Sequence, residues 1–357
     1  MTPPPEPLTG TPPASLRERL ADRIRTEGPL SYADWVEACL YDANGGFYAS
    51  GGVAGRRGDF LTSPEVGPLF GSVLARWLDA RWEDLGRPEG FTVVEAAAGV
   101  GTLARAVVAV GPACLADGRY VMVERSPTLR AAQPTGDGLA SVAGLSEVGQ
   151  VAAGVVVANE LLDNLAFGLL ESDGSDWREV RVDATPDGSF IEVPGVVVDP
   201  PVPVTAPAAG ARIPVQDGAR RWVEAALALP RRGSLLVVDY ASTTGGMAAR
   251  PAHEWLRTYR DHERGGAPVD APGTQDLTVE VAVDQLPPGA ATVTQAGFLR
   301  AHGIHDLVEA GRRVWEERAH LGDLEALKAR SRIAESEALL DPTGLGGFTT
   351  LEWVVGS

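Results

Sequence analysis

Apolar residues along the chain follow two periodicities. Five short runs are apolar almost throughout: Phe91 to Val94, Arg119 to Glu124, Leu139 to Val142, Ala153 to Ala158 and Gly233 to Tyr240. Runs of this length, rich in valine and bounded by turn residues, read as buried strands. Around them apolar residues recur every three or four positions, as on one face of a helix. Leu16, Leu20 and Ile24 predict a helix from Ser15 to Glu27, with Ser15 as N-cap. Gly28-Pro29 breaks it. A second helix starts over Ser31 to Trp35, with Asp34 placed for a capping box, and runs to Leu40. A third starts at Thr62-Ser63-Pro64-Glu65, with proline at its first turn, and continues through Phe70, Val73, Leu74, Trp77 and Leu78. Residues 102–108, 216–229, 295–302 and much of 307–340 complete the helices, and Thr349 to Val355 predicts a closing strand.

Strands alternating with helices predict an α/β protein built on a Rossmann-like sheet. Three shorter segments, Phe167 to Glu171, Trp177 to Val182 and Ser189 to Val193, are separated by Asp/Gly turns and interrupt the alternation. They predict a β-rich insertion, followed by a Pro/Val linker from Pro200 to Pro207. The stretch after Tyr240, up to Pro272-Gly273, reads as irregular; Asp276-Leu277-Thr278 reads as a helix start and Ala291 to Thr294 as a short strand. Two glycine-rich loops, residues 41–48 and 51–60, the second carrying Arg56, Arg57 and Asp59, read as a lid over a site. The expected division is a disordered Pro-rich lead (1–14), an N-terminal helical and lid segment (15–90), a core in two pieces (91–164 and 216–357) and the β-rich insertion with its linker (165–215).

Composition changes this picture in a few places. The net charge of −17 argues against a nucleic-acid partner, which needs clustered Lys and Arg. Lys328 is the single lysine, which points to coding bias and not to function. Cys39 and Cys114 form no CxxC pattern and suit a reducing compartment. The N-terminal MTPPPEPLTGTPPA has neither the basic and apolar regions of a secretory signal nor the arginines of a transit peptide, and no run of 18 apolar residues predicts a membrane span. A cytoplasmic location is expected. His302 and His305 sit three apart with no acid or cysteine cluster around them, so no metal site is expected.

The candidate chemistry lies where the first buried strand ends on Glu95, turns through Ala96 to Gly101 and enters a helix at Thr102-Leu103. Strand, glycine turn and helix bring bare backbone up to a nucleotide-like ligand. The second strand ends on another acid, Glu124, 23 residues past Gly101. That is the position from which a carboxylate accepts hydrogen bonds from ribose hydroxyls. A nicotinamide fold usually carries a third glycine, which is missing here. The pattern E-x-x-x-G-x-G also suits S-adenosylmethionine: Glu95 would organise the turn and meet the methionine amino group, the backbone from Ala97 to Gly101 would face its carboxylate and sugar, and Glu124 would hold the ribose. Asn159, Glu160 and Asp163 follow the fourth strand, on the ligand side of the sheet. The residues alone leave a dehydrogenase and a methyltransferase both open.

Gly58-Asp59-Phe60-Leu61-Thr62-Ser63-Pro64-Glu65, followed by Leu69-Phe70-Gly71, resembles the signature of the MidA family, whose mitochondrial members are protein arginine methyltransferases that act on a subunit of respiratory complex I during assembly. The segments Asn159 to Leu165, Trp177 to Val180, Val238-Asp239-Tyr240, Arg257 to Arg260, Ala271 to Thr278 and Leu340 to Gly346 resemble it in the same order, over about residues 28 to 355. The resemblance implies a class I S-adenosylmethionine-dependent methyltransferase sheet with C-terminal helical additions. It implies methyl transfer to an arginine of a partner protein, with a respiratory-complex subunit as partner and a homodimer open. Glu160 and Asp163 are expected as the catalytic acids. Asp59, Ser63 and Glu65 are expected to close the cofactor pocket with Glu95, Ala97, Gly99, Gly101, Thr102, Leu103, Glu124 and Asn159, and Arg257 and Tyr259 to lie on the substrate side.

The chain departs from the family pattern E-x-G-P-G-x-G-T-L at one turn: Ala97 and Ala98 stand where Gly and Pro are expected. An alanine in a left-handed conformation costs about 1–2 kcal/mol. Ala166 likewise replaces the usual proline. A small-molecule methyltransferase, a non-catalytic S-adenosylmethionine-binding assembly factor and, last, a nicotinamide oxidoreductase are the competing expectations.

Overall fold

The computed structural model describes residues 14–49, 62–205, 207–260 and 263–356. The Pro-rich lead before Ala14, the second glycine loop with Arg56, Arg57 and Asp59, and His262 lie outside the described residues.

Seven strands form the central sheet: β1 (Thr92–Ala96), β2 (Arg119–Val123), β3 (Leu139–Val142), β4 (Gly154–Asn159), β5 (Gly233–Asp239), β6 (Ala291–Thr294) and β7 (Thr349–Val355). Their order is β3-β2-β1-β4-β5-β7-β6. β1 to β5 are parallel neighbours, and β7 runs antiparallel to both β5 and β6. The order reverses between β1 and β4. The chain builds outward from β1 through β2 to β3, then returns to lay β4 and β5 on the other edge. That leaves a crevice at the carboxyl ends of β1 and β4.

The alternation within each strand assigns its two faces. Val93, Tyr120, Met122, Val155, Val157 and Leu236 pack on one side with the helices Pro68–Asp84 and Thr102–Val110. Val94, Val121, Val156, Ala158, Leu235 and Val237 pack on the other against the helix Asp217–Leu227. A sheet covered on both faces needs apolar residues at nearly every position, which is why its strands stand out in the sequence.

A second, five-stranded antiparallel sheet is laid down between β4 and β5. It holds Gly168–Ser172, Trp177–Ala184, Phe190–Val198 and Arg212–Val215, and accepts the two-residue strand Leu30–Ser31 from the N-terminal segment. The helices Leu16–Glu27 and Tyr32–Tyr41 pack on it through Leu20, Ile24, Trp35 and Leu40, which share a core with Phe167, Phe190 and Trp255. Ser15 caps the first helix with a complete capping box, its partner being Glu18. This packing holds the N-terminal layer over the crevice.

Four elements differ from the sequence reading. Asp276–Val279 is a strand and not a helix start, and Leu256–Arg260, read as irregular, is the strand it pairs with antiparallel. Both are short, so their partner and not their own pattern decides their conformation. Arg212–Val215 is a strand in what reads as loop, paired with Gly168 to Glu171. The helix starting at Ser63 stops at Val66 and restarts at Pro68. The Gly67 backbone lies against the Glu335 carboxyl, so close that a Cβ would fall 2.2 Å from its Cδ.

Glu335 is buried, accepts a hydrogen bond from the Leu69 N–H at 2.9 Å and another from the Ser331 hydroxyl at 2.6 Å. It ties the helix Leu324–Leu340 to the start of the helix Pro68–Asp84. Glu335→Ala leaves the Leu69 N–H buried and unpaired. It is expected to lower stability by about 1–3 kcal/mol, read as a lower urea midpoint at unchanged m-value.

Candidate active site

A cavity of about 860 Å³ lies at the carboxyl edge of the central sheet. Its floor is the turn after β1, with Glu95, Ala97, Ala98, Gly99 and Val100, and the first helical residues Thr102 and Leu103. One wall comes from the ends of β2 and β3, with Glu124, Arg125, Leu129 and Ala143 to Leu145. The rest of the lining comes from Asn159 to Leu161 after β4, from Asn164 and Leu165, and from Tyr41, Tyr48, Thr62 and Glu65 of the N-terminal layer.

The turn is built to expose backbone. Gly99 has φ +52°, and a Cβ there would meet nothing within 4 Å. Its N–H donates to Glu124 Oε2 at 2.9 Å, while Glu124 Oε1 accepts from the Ser126 N–H at 2.8 Å. The Glu124 carboxylate therefore joins the first turn to the second. Ala97 has φ +53°, the left-handed conformation that favours the glycine it replaces. Gly101, at φ +81°, does not line the cavity; a Cβ there would lie 2.6 Å from Pro134 Cδ and 3.1 Å from Met122 Sδ. Its glycine is required by backbone shape and packing, one step away from any ligand.

Four non-glycine residues adopt positive φ among the described residues, and two of them, Ala97 and Glu160, line the cavity. Glu160 stands at φ +52° directly after β4, its N–H donating to the Val238 carbonyl at 2.8 Å. Strain of this kind collects where side-chain placement matters more than backbone comfort. The Asn159 amide donates to Glu160 Oε1 at 2.9 Å, and Asn159 Oδ1 is buried with no hydrogen-bond partner among the described residues.

The carboxyl groups here are kept out of water. Burial pushes Glu95 up to about 8, against the opposing hydrogen bonds of the Tyr120 hydroxyl (2.8 Å) and the Ala104 N–H. Burial and then the Asp163 charge push Glu160 up to about 8, opposed by Asn159 and the Ser63 N–H. Asp163 is fully buried, does not line the cavity, and is pushed up to about 7 by burial while the Tyr240 hydroxyl donates to its Oδ2. Behind it Asp239 Oδ2 accepts from the Leu162 and Asp163 N–H groups at 3.0 and 3.3 Å, and burial holds Asp239 well above the ordinary carboxylate range.

The remaining expected site residues fall as follows. Ser63 is buried and its hydroxyl donates to Gln295 Oε1 at 2.9 Å, so it reaches the site only through its N–H. Glu65 lines the cavity beside Thr62. Arg257 pairs with Glu280 at 3.1 Å and lies over the Tyr240 ring; neither it nor Tyr259 lines the cavity. Asp59 is outside the described residues. Sequence reasoning placed Tyr41 and Tyr48 only in a loop read as a lid and gave no role to Arg125, Ala143 to Leu145 or Trp222; all of these, with Asn164, line the cavity. They come from separate elements and share no spacing; the two tyrosines flanking a glycine loop were the one available signal.

An open sheet that reverses beside a glycine turn, with acids at the tips of adjacent strands, defines a doubly wound α/β protein that takes a nucleoside-bearing ligand at its switch point. The family is narrower than that class. A family model for S-adenosyl-L-methionine-dependent methyltransferases matches residues 73–304, and the chain belongs to that family. It is 29% identical over 301 residues to the protein arginine methyltransferase NDUFAF7 homolog, mitochondrial, of Drosophila melanogaster, covering 75% of this chain and 68% of that protein. It is 27% identical over 349 residues to the protein arginine methyltransferase NDUFAF7, mitochondrial, of Mus musculus, covering 84% and 76%. A crystal structure from Burkholderia thailandensis with S-adenosyl-homocysteine bound has the same fold, at TM-score 0.78 and 23% identity over 96% of this chain and 92% of that one. The cytoplasmic location expected from the sequence does not stand, because these curated relatives are named mitochondrial.

S-adenosylmethionine is the cofactor, and the residues present fit it. Among the described lining residues Glu65, Glu95, Glu124 and Glu160 outnumber the single cation Arg125. These carboxyl groups, of which burial keeps Glu95 and Glu160 protonated near neutral pH until a cation draws their charge out, suit a ligand carrying a sulfonium and an ammonium group better than the pyrophosphate of a nicotinamide dinucleotide. The unpartnered Asn159 Oδ1 is an acceptor waiting for a donor.

Two outcomes are expected. Ala97→Gly relieves the left-handed strain but adds freedom to the unfolded chain; the net gain is about 0.5–1 kcal/mol, read by urea unfolding. Glu95, Glu160 and Asp163 have folded-state pKa values above their unfolded ones, so their contribution to stability is full below about pH 4 and is lost as pH rises through about 7 to 8; burial shifts Asp239 in the same direction. Urea midpoints of the ligand-free protein should fall between pH 5 and 8.5, and Glu160→Gln should flatten that fall.

Proposed function

We propose that the protein transfers methyl groups to arginine side chains of a partner protein. The observation that carries this reading is the half-buried Glu160, held in the cavity by a strained backbone, with Asp163 and Asp239 packed behind it. A guanidinium is planar and always charged, and a carboxylate in a water-poor site is the group that binds and orients it. The named activity of the fly and mouse relatives supports the same acceptor class, and a respiratory-complex subunit is the first protein acceptor to test.

In this proposal Glu124 and the turn from Ala97 to Gly99 hold the cofactor's ribose and methionine ends, with Glu95 and Asn159 facing its ammonium group. Thr102 and Leu103 border it, Gly101 supports the turn from behind, and Glu65 closes the cavity from the N-terminal side. The cofactor supplies an electrophilic methyl group on a positively charged sulfur.

Glu160 pairs with the acceptor guanidinium. Its raised pKa means that it enters the reaction protonated at neutral pH, and an arriving cation drives that proton off Oε. The resulting carboxylate draws the guanidinium charge towards itself and takes the proton released when the attacking nitrogen becomes substituted. Asp163, clamped by the Tyr240 hydroxyl, is a positioning residue that keeps Glu160 in its high-pKa environment. Ser63 supports Glu160 through its N–H.

Incubation of the full chain with isotopically labelled S-adenosylmethionine and a lysate, followed by mass spectrometry, is expected to place label on protein arginine. Glu160→Gln should lower kcat by about 10²-fold or more with cofactor binding retained. Label confined to small molecules would overturn the protein-arginine reading.

A further inference from the structure

The part of the cavity lining that comes from the N-terminal layer carries two tyrosines in face-to-face contact. The Tyr41 and Tyr48 rings stack at 5.4 Å with 20° between their planes, and both line the cavity. Each is fixed by its hydroxyl, Tyr41 donating to the Asn164 carbonyl at 3.1 Å and Tyr48 to Asp276 Oδ1 at 3.3 Å. The free face of Tyr41 is already covered by a guanidinium. Arg125 Cζ lies 4.5 Å from the ring centroid, and its Nη2 donates to Glu37 Oε1 at 2.7 Å. Glu37 and Tyr41 stand four residues apart on one helix, hence on one face of it.

We propose that Tyr41 and Glu37 form a docking seat that the acceptor's guanidinium occupies before it reaches Glu160, and that Arg125 fills this seat in the ligand-free protein as an internal competitor. The inference rests on the arginine reading above and adds to it the group that discriminates the acceptor. An aromatic face beside a carboxylate selects a planar, weakly hydrated cation over an ammonium. Arg125 demonstrates the fit, because the same chemical group sits there within the same cavity. It is also easily displaced: its side chain is 61% exposed and that of Glu37 47%, so the ion pair between them holds weakly. Arg125 directly follows Glu124, whose carboxylate binds the first turn, so seat and cofactor site share one loop. A pair serving only to pin the N-terminal layer to that loop would lose nothing to an external guanidinium.

The full-length protein saturated with S-adenosyl-homocysteine is titrated with N-acetyl-arginine methylamide and, separately, with its neutral citrulline counterpart, by NMR or calorimetry. Arg125→Ala should bind the arginine probe about tenfold tighter than the wild type, as expected when a competitor filling nine-tenths of the sites is removed. The citrulline probe should show no gain. Adding Tyr41→Leu or Glu37→Gln to Arg125→Ala should abolish the gain, with the urea midpoint serving as the check on folding. Equal or weaker binding by Arg125→Ala overturns the seat, as does a gain that survives Tyr41→Leu. If the wild type forms methylarginine on a protein acceptor while Arg125→Ala shows no gain, the seat falls and the arginine reading stands. If it forms no methylarginine, both fall.

Discussion

The structure is organised by a set of carboxyl groups that the sheet carries out of water at its carboxyl edge. Glu95, Asp163 and Asp239 are buried, and Glu160 half-buried, within a framework of apolar strands. Each would be costly to ionise alone. The fold accepts them because each is met by a donor: the Tyr120 hydroxyl on Glu95, the Tyr240 hydroxyl on Asp163, the backbone after β4 on Asp239, and the Asn159 amide on Glu160. A crevice lined this way attracts cations. The cofactor's sulfonium and ammonium groups, and the guanidinium proposed as acceptor, answer one electrostatic demand.

The second constraint is backbone strain. Ala97 occupies a left-handed position that glycine would take at no steric cost, and Glu160 occupies another. These two costs differ in kind. Glu160 is held in place on its β5 side by the hydrogen bond from its N–H to Val238, and the strained turn aims its side chain into the cavity. At Ala97 nothing in the structure explains the methyl group, and the turn keeps its shape through Gly99, Gly101 and the Glu124 bridge. Gly101 shows why a glycine pattern cannot be read as a list of ligand contacts: its missing Cβ makes room for Pro134.

The N-terminal layer turns an open crevice into a cavity. Its two helices rest on the second sheet and not on the central one. Residues 41–48 are thereby carried across to face the cofactor turn, and the buried Trp35, Tyr32 and Phe167 fix the register of that crossing. The second sheet thus places a wall of the site although it adds few side chains to it.

The sequence alone located the central sheet and the turn and strand tips that line one part of the cavity. Buried parallel strands are apolar at every position, and the glycine turn with an acid at each of two strand tips is local in the chain, so periodicity and spacing suffice for both. Glu95, Gly99, Glu124, Asn159 and Glu160 line the cavity as their positions at strand ends required. Only the tertiary structure decided the rest of the lining. Tyr41, Tyr48, Arg125 and Trp222 converge from four separate elements, and no spacing along the chain encodes a contact between them. It also separated Asp163 from Glu160, sending one into the core and the other to the cavity, because the short turn after β4 points residues three apart in different directions. The strands Leu256–Arg260 and Asp276–Val279 escaped the sequence reading for the same reason: a strand of four or five residues takes its conformation from the partner it pairs with, and that partner is named only by the fold.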